Sequence, residues 1–312
     1  MADLTLLDLA ARSGSDAVIG LVESSISFAP EIGFLEALPK KGTSYKVTRR
    51  TALPQAQFVQ SGSGALTSKS KYVQENKNLF PMLTNLEVPE LTVDGADDEL
   101  GDLLADEAGG ATQQALYHLA QQFYYGTSSD QYGFEGYVSL IDGDPTYEID
   151  AGGAPGSSTS AYLIASHRKG VSLAVGKNGS MNISPWVLQQ VVSGGNATSG
   201  FLKQPAYTSA FKGWFGLTVA NEYSVYRVKH IDPTHPLTDK LGNQLLANIP
   251  TQYRIGLRWF MNEFGSFSLQ SSRSAVGYQP AGSTGNPGYA DAPEELAGKP
   301  ITVTSTILNT EQ

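Results

Sequence analysis

Polar and apolar residues alternate with a period of two over 43–51. Tyr45, Val47 and Arg49 fall on one side and Ser44, Lys46 and Thr48 on the other, which predicts a β-strand. The next stretch, 60–71 (QSGSGALTSKSK), is rich in Gly, Ser and Lys and has no apolar face. A return leg follows through Tyr72, Val73, Leu79, Phe80 and Met82 to Leu91. The segment 43–91 therefore reads as a polar strand–turn–strand arm with little from which to build a core. Directly after it, Leu100, Leu103, Leu104, Ala108, Ala111, Ala115, Leu119 and Phe123 recur at spacings of three and four. This predicts one helix over about 97–125, roughly 40 Å long at 1.5 Å per residue. Asp94, Asp97, Asp98 and Glu99 crowd its start, where carboxylates meet the positive end of the dipole and free amides. Gly109-Gly110 predicts a bend, and Gly126 is suited to end the helix. An arm without a core and a helix in need of cover suggest burial completed by another copy of the chain.

Helical spacing at Leu6, Leu7, Ala10 and Ala11 predicts a short helix over 4–12, and Val18, Ile19, Leu21 and Val22 a second over 16–25. Residues 30–39 read as an extended connector anchored by Ile32, Phe34, Leu35 and Leu38. The segment 132–137 is a glycine-punctuated loop, and 151–160 (AGGAPGSSTS) reads as an exposed one. Strands are expected over 161–166, 170–175, 213–219, 223–228 and 266–270, with a helix over 242–249. Residues 275–297 are rich in Gly, Pro and Tyr and predict a loop. The segment 300–308 (PITVTSTIL), with Ile301, Val303, Ser305 and Ile307 on one side, predicts a closing strand.

Composition sharpens this picture. The chain has 312 residues, 40% of them apolar and only 16% charged, against roughly 25% charged in an average soluble protein. Low surface charge fits a chain that hides surface in an assembly, although secreted β-proteins share the profile. With 21 basic against 30 acidic residues the formal net charge is −9. That disfavours nucleic-acid binding, which relies on Lys and Arg neutralising phosphates. Weak repulsion suits a wall past which packed DNA must slide, but on composition alone plain solubility is slightly the better reading. There are no cysteines, so disulfides and thiolate chemistry are excluded. The N-terminal segment lacks the basic start of a signal peptide, and no apolar run is long enough to span a membrane.

A search for chemistry comes back empty. His230-Ile231-Asp232-Pro233-Thr234-His235 is the one cluster of ligand types, and its spacing matches neither a helical His pair nor a zinc finger. An Asx-type turn explains it better. His118 falls within the long helix. There is no G-x-S-x-G elbow, and the glycines around Gly62-Ser63-Gly64 lack the pattern of a phosphate cradle. The carboxylates at 94–99 lack the twelve-residue rhythm of a calcium loop. No catalytic, cofactor or metal residues are expected.

In order and over nearly the whole chain, four segments resemble the major capsid proteins of tailed double-stranded DNA phages, in particular the short-tailed group. They are 4–10 with 16–25, the stretch 49–56 (RRTALPQA) with its Leu-Pro, the pair 211–217 (FKGWFGL) and 226–231 (YRVKHI), and 298–311 with its terminal Asn-Thr-Glu. No single motif is as specific as a set of metal ligands; their shared order carries the likeness. The resemblance implies the Hong Kong ninety-seven type capsid fold, an α+β fold. It would have an N-terminal arm at 1–40, an extended β-hairpin loop at 41–93, and a long spine helix opening a peripheral domain at 94–145. An axial α/β domain would occupy about 146–265, and 266–312 would return to the peripheral domain with the closing strand.

The function that this implies is a structural subunit, not an enzyme, that self-assembles into pentamers and hexamers of an icosahedral head around double-stranded DNA. The expected inter-subunit contacts of the extended loop are Tyr45, Val47, Arg49, Arg50, Leu53, Lys69, Lys71, Leu79 and Phe80. Some members of the fold cross-link a loop lysine to an asparagine. The acidic catalyst and the asparagine cannot be matched, so that activity is not carried over. Because the arm begins near Met1, a separate scaffolding protein is implied, as are a portal protein and room for a decoration protein. No membrane partner is expected, and the place of the protein would be the virion, after assembly in the host cytoplasm. Rival readings are another phage structural protein, such as a tail tube or decoration protein, and a β-rich carbohydrate-binding protein or hydrolase.

Overall fold

The computed structural model describes residues 28–94, 100–167, 169–176, 179, 181–196, 200–275 and 292–311. The helices expected over 4–12 and 16–25, most of the carboxylate cluster at 94–99 and most of the loop at 275–297 lie outside the described residues. In chain order the elements are α1 (Pro30–Phe34), β1 (Glu36–Pro39), β2 (Ser44–Ala52), β3 (Lys71–Asn78), β4 (Phe80–Pro89), α2 (Glu90–Asp94) and α3 (Leu100–Tyr125). Then come α4 (Tyr137–Ile141), β5 (Glu148–Asp150), β6 (Thr159–Ala165), β7 (Val171–Val175), β8 (Asn182–Ile183), β9 (Val187–Asn196) and β10 (Gly200–Val219). The last are β11 (Val225–Ile231), α5 (Asp239–Asn248), β12 (Leu257–Met261), α6 (Glu263–Ala275), β13 (Glu295–Leu296) and β14 (Lys299–Val303).

Two six-stranded sheets carry most of the strands, and β2 and β3 form a separate two-stranded sheet. The first runs β1-β7-β10-β4, with β8 and β9 also paired to β10, and the second runs β13-β14-β12-β6-β11-β5. The apolar stripe of α3 packs on the first sheet, where Leu116, Leu119 and Phe123 meet Leu173, Phe211 and Phe215 in one core. Tyr162, Ile164 and Phe260 of the second sheet join the same core. Its other face carries Leu163, Tyr226 and Trp259 against Leu245 of α5 and Leu269 of α6. β6 is thus buried on both faces along its whole length, which is why its sequence shows no polar side.

Segment 146–265 contributes β7 to β10 to the first sheet and β5, β6, β11 and β12 to the second. Of segment 266–312, β14 pairs parallel with β12, while Ile307 packs in the core of α3.

Several local expectations are corrected. Residues 30–39 are half helix: Pro30 sits in the first turn of α1, where its missing N–H costs nothing, and β1 then pairs parallel with β7. α3 runs unbroken through Gly109 and Gly110, and a Cβ at Gly110 would meet open space. The strand expected over 266–270 is part of α6. Asn262 opens that helix by accepting from the Gly265 amide at 2.8 Å, and Leu269 takes the buried position. The closing strand ends at Val303, after which Thr304, Thr306 and Ile307 turn inward and are buried. In the loop at 151–160, Ser158, Thr159 and Ser160 are buried and not exposed.

Candidate assembly surfaces

The arm has a buried base and a bare tip. β2 and β3 pair antiparallel from Ser44↔Asn78 to Ala52↔Lys71. At the base, Tyr45, Val47 and Leu79 are buried with Ala174 of β7, beside Trp214 and Ala220. The Tyr45 hydroxyl donates to the Leu217 carbonyl at 2.9 Å, and burial pushes its phenol up. Lys77 reaches Glu135 at 3.1 Å, tying β3 to the loop after α3. Tyr45, Val47 and Leu79 therefore anchor the arm to its own chain. Little of their apolar surface is left exposed. Phe80, at the start of β4, is half-buried and packs at the edge of the α3 core.

Beyond Ala52 nothing among the described residues covers the arm. The two legs stay together: the Gln55 amide donates to Ser68 Oγ at 2.8 Å, and that hydroxyl donates to the Gln55 carbonyl at 3.1 Å. The turn closes with the Ser63 amide on the Gln60 carbonyl at 2.9 Å, and Gly62 adopts φ 89°. A positive φ at the third turn residue is what type II geometry demands of glycine. Leu53 is 68% exposed, Leu66 79% and Phe58 fully so. Lys69 and Lys71 are exposed as well, and the Arg50 guanidinium sits 5.5 Å over the Tyr72 ring. A hydrogen bond from Ser70, with Arg50 beside it, lowers the Tyr72 phenol. Arg49 lies in β2, paired with Val73. Phe58 and Leu66 are absent from the sequence-derived contact set. Their signal was present as large apolar residues inside a polar, turn-rich segment.

A cleft of about 390 Å³ opens between β4 and α3. Phe80, Met82, Ala115, Leu119 and Phe134 line it, with His118 and Asp130 at 3.3 Å on its rim.

The last described residues fasten the two layers together. Glu311 is buried and accepts from Arg227 Nη2 at 2.9 Å, from the Tyr125 hydroxyl and from Ser160 Oγ. Arg227, itself buried, also donates to Glu148 at 3.3 Å. Tyr125 ends α3 and Arg227 lies in β11, so one carboxylate holds both. Further along, Glu31 of α1 accepts from the Tyr124 hydroxyl at 3.0 Å and from Thr306 Oγ1, while its Oε2 has no partner. Burial above all raises the Glu31 carboxyl above its ordinary value, against the lowering pull of these hydroxyls.

The His230–His235 segment forms the Asx turn expected of it. Asp232 Oδ1 accepts from the amides of Thr234 at 2.8 Å and His235 at 2.7 Å. The Thr234 hydroxyl foremost, then these amides, hold the carboxyl well below its usual range. Among the described residues no group of three or more His, Cys, Asp or Glu is placed to hold a metal ion. No helix among them is long and apolar enough to cross a membrane.

Comparison with known proteins adds the fold. No protein-family model matches the chain, and no curated protein does. Among solved structures it is similar to a chain of bacteriophage epsilon15, at 16% identity and a TM-score of 0.65, over 88% of this chain and 86% of that one. A chain of the bacteriophage JBD30 capsid matches at 9% identity and a TM-score of 0.49, over 86% and 88%. A Synechococcus elongatus encapsulin complex matches at 10% identity and 0.43, over 65% and 88%. The first likeness shows the fold alone: the chain shares the mixed α+β fold of that bacteriophage epsilon15 chain.

Proposed function

We propose that this chain is the major capsid protein of a tailed phage: a structural subunit, not an enzyme, that builds the pentamers and hexamers of an icosahedral head around double-stranded DNA. The observation that carries this reading is the arm at 53–70. It presents Leu53, Phe58 and Leu66 with nothing among the described residues to cover them. Exposed large apolar side chains on a projecting ribbon mark an interaction site. The shared fold supports the reading independently.

In this account the arm crosses to a neighbouring subunit and lies along its α3, with Phe58 as the leading anchor. Arg49, Arg50, Lys69 and Lys71 flank the ribbon and meet carboxylates across the interface, while Phe80 borders the contact on the receiving side. Summed over neighbours, the buried area exceeds the ~2,000 Å² of permanent complexes. The division into arm (1–40), extended loop (41–93), peripheral (94–145 with 266–312) and axial (146–265) regions is retained as the functional partition, with β7 to β10 serving the peripheral sheet. A scaffolding protein, a portal protein and a decoration protein are the further partners, and the mature protein resides in the virion after assembly in host cytoplasm.

Deleting 60–70 tests the reading. The variant is expected to remain folded and soluble, because the removed residues are exposed, and to build no closed shells. Normal particles from it by electron microscopy would refute the role given to the arm.

A further inference from the structure

Two buried carboxylates hold the two ends of one segment of chain. Residues 304–311 follow β14, with Thr304, Thr306, Ile307 and Glu311 buried and Ser305, Leu308, Asn309 and Thr310 exposed. The segment joins no ladder, and among the described residues its one β-bridge is Ser158↔Glu311. It is held piece by piece instead. The Tyr117 hydroxyl donates to the Ser305 carbonyl at 3.0 Å, the Leu308 amide to the Tyr125 hydroxyl at 2.8 Å, and the Glu311 amide to the Ser158 carbonyl at 3.0 Å. A segment fastened in this way can open locally while the sheets stay closed.

The two ends differ in how their charge is met. Glu311 accepts from Arg227, a buried cation. Glu31, 2% exposed, is met by hydroxyls: Tyr124 at 3.0 Å, Thr306, and Thr304, which lies 2.9 Å from Thr306. None of the groups that chiefly act on it is a cation. The titratable groups facing it are Tyr124 of α3 and Tyr137 of α4, whose phenols are pushed up by burial first and by Glu31 next. Behind them, the Tyr162 ring of β6 lies 4.7 Å from that of Tyr124, and Arg258 of β12 sits 5.2 Å over the Phe34 ring of α1. Glu31 Oε2 and the Tyr137 hydroxyl have no partner. A buried carboxylate without a cation is tolerated as the neutral acid and costly as the anion. Tyr124 and Tyr125, adjacent at the end of α3, hold Glu31 and Glu311 respectively, so both ends of the segment rest on the same helix turn.

We propose that 304–311 is a strap hinged at Glu311 and gated by the proton on Glu31. With Glu31 neutral, α1 and Thr304–Ile307 stay docked together on α3. Once the proton leaves, the uncompensated charge reaches water by lifting α1 and this half of the strap as one unit, while Glu311 stays on Arg227. Everything before Pro30 joins the described fold through α1, so the gate also sets whether that junction is held. The direction follows from burial, which raises the Glu31 carboxyl. The closed form binds the proton more tightly than the open one, so closure is complete below about pH 4.5 and weakens as pH rises through the closed-state value. The device belongs to the single subunit and does not depend on the shell reading.

Hydrogen exchange of the full-length subunit, corrected for intrinsic rates, tests the gate at about pH 4.5 and pH 8. The amides of Leu35, on the Glu31 carbonyl at 2.9 Å, and of Thr306, on Thr304 Oγ1 at 3.3 Å, report its two halves. Their protection is expected to fall together at least threefold at the higher pH, while the Glu311 amide and those of β6 keep theirs. In Glu31→Gln the protection of Leu35 and Thr306 should be equal at the two pH values. No loss in the parent, loss at only one of the two sites, or equal loss at Glu311 or in β6 would overturn the gate. So would the parent's pH dependence persisting in the glutamine variant.

Discussion

Arg227 Nη2 and Glu311 Oε2 lie 2.9 Å apart with both side chains 2% exposed, which joins β11 to the carboxyl-terminal end of the described chain inside the protein. Two charges removed from water repay their desolvation only while both are present and hydrogen-bonded. Glu311→Gln is expected to destabilise the subunit by about 3 kcal/mol or more in urea unfolding, because Arg227 then keeps only Glu148 as a buried counter-charge. Arg227→Met should cost a similar amount. The double variant should cost less than the two added, with a coupling above ~1 kcal/mol. Strict additivity would show that the pair does not act as a unit.

Glu31 gives a pH dependence of defined sign. Burial raises its folded-state pKa above the ordinary 4.5, so the folded chain holds this proton more tightly than the unfolded one. The stabilising contribution is complete below about pH 4.5 and is lost as pH rises through the folded value. The unpartnered Oε2 is the atom to carry the proton. Glu31→Gln, fixed in the neutral form, is expected to flatten the fall in urea midpoint between pH 5 and pH 8 relative to the parent. Parallel slopes for the two proteins would place the dependence elsewhere.

Gly126 and Gly136 make the tight exit from α3. Gly126 has φ 56°, and a Cβ there would come within 2.1 Å of the Gly136 amide nitrogen. Gly126→Ala is therefore expected to cost about 3 kcal/mol or more, through backbone collision and not merely left-handed strain. Gly110→Ala, inside the helix with open space at its Cβ, should instead stabilise by up to ~1 kcal/mol. Thermal melts of the two variants moving in the same direction would contradict this.

Tyr45 holds the arm at its base, with 7% exposure and its hydroxyl on Leu217. Tyr45→Ala removes the ring and should cost about 3–5 kcal/mol. Tyr45→Phe leaves the Leu217 carbonyl without that donor and should cost about 1–2. Hydrogen exchange is expected to quicken in β2 and β3 in the alanine variant while α3 stays protected. Equal loss of protection in both would mean that the base is not a separate anchor.

The parts legible in the sequence were those with a local period. α3 showed its stripe at three and four, and β2 its alternation at Tyr45 and Val47. Gly126 announced the helix end, and Asp232 its turn. What escaped depended on distant partners. β12 (LRWFM) is covered on both faces, so its sequence lacks a polar side to read. α6 looked like a strand because Phe267 and Leu269 alternate, yet of these two only Leu269 is buried in the helix and Phe267 is 62% exposed. The burial of the arm's base escaped for the same reason. Tyr45, Val47 and Leu79 look unburied within the arm, and only Trp214 and Ala174, far away in sequence, show what covers them. Phe58 and Leu66 have no such cover among the described residues.

Imaging purified protein by negative stain, at concentrations where free subunits meet often, tests the central claim most directly. Closed shells or five- and six-membered rings are expected, with Phe58 shielded from solvent in them. A chain that remains a single dispersed subunit under those conditions, its arm tip still bare, would contradict the account.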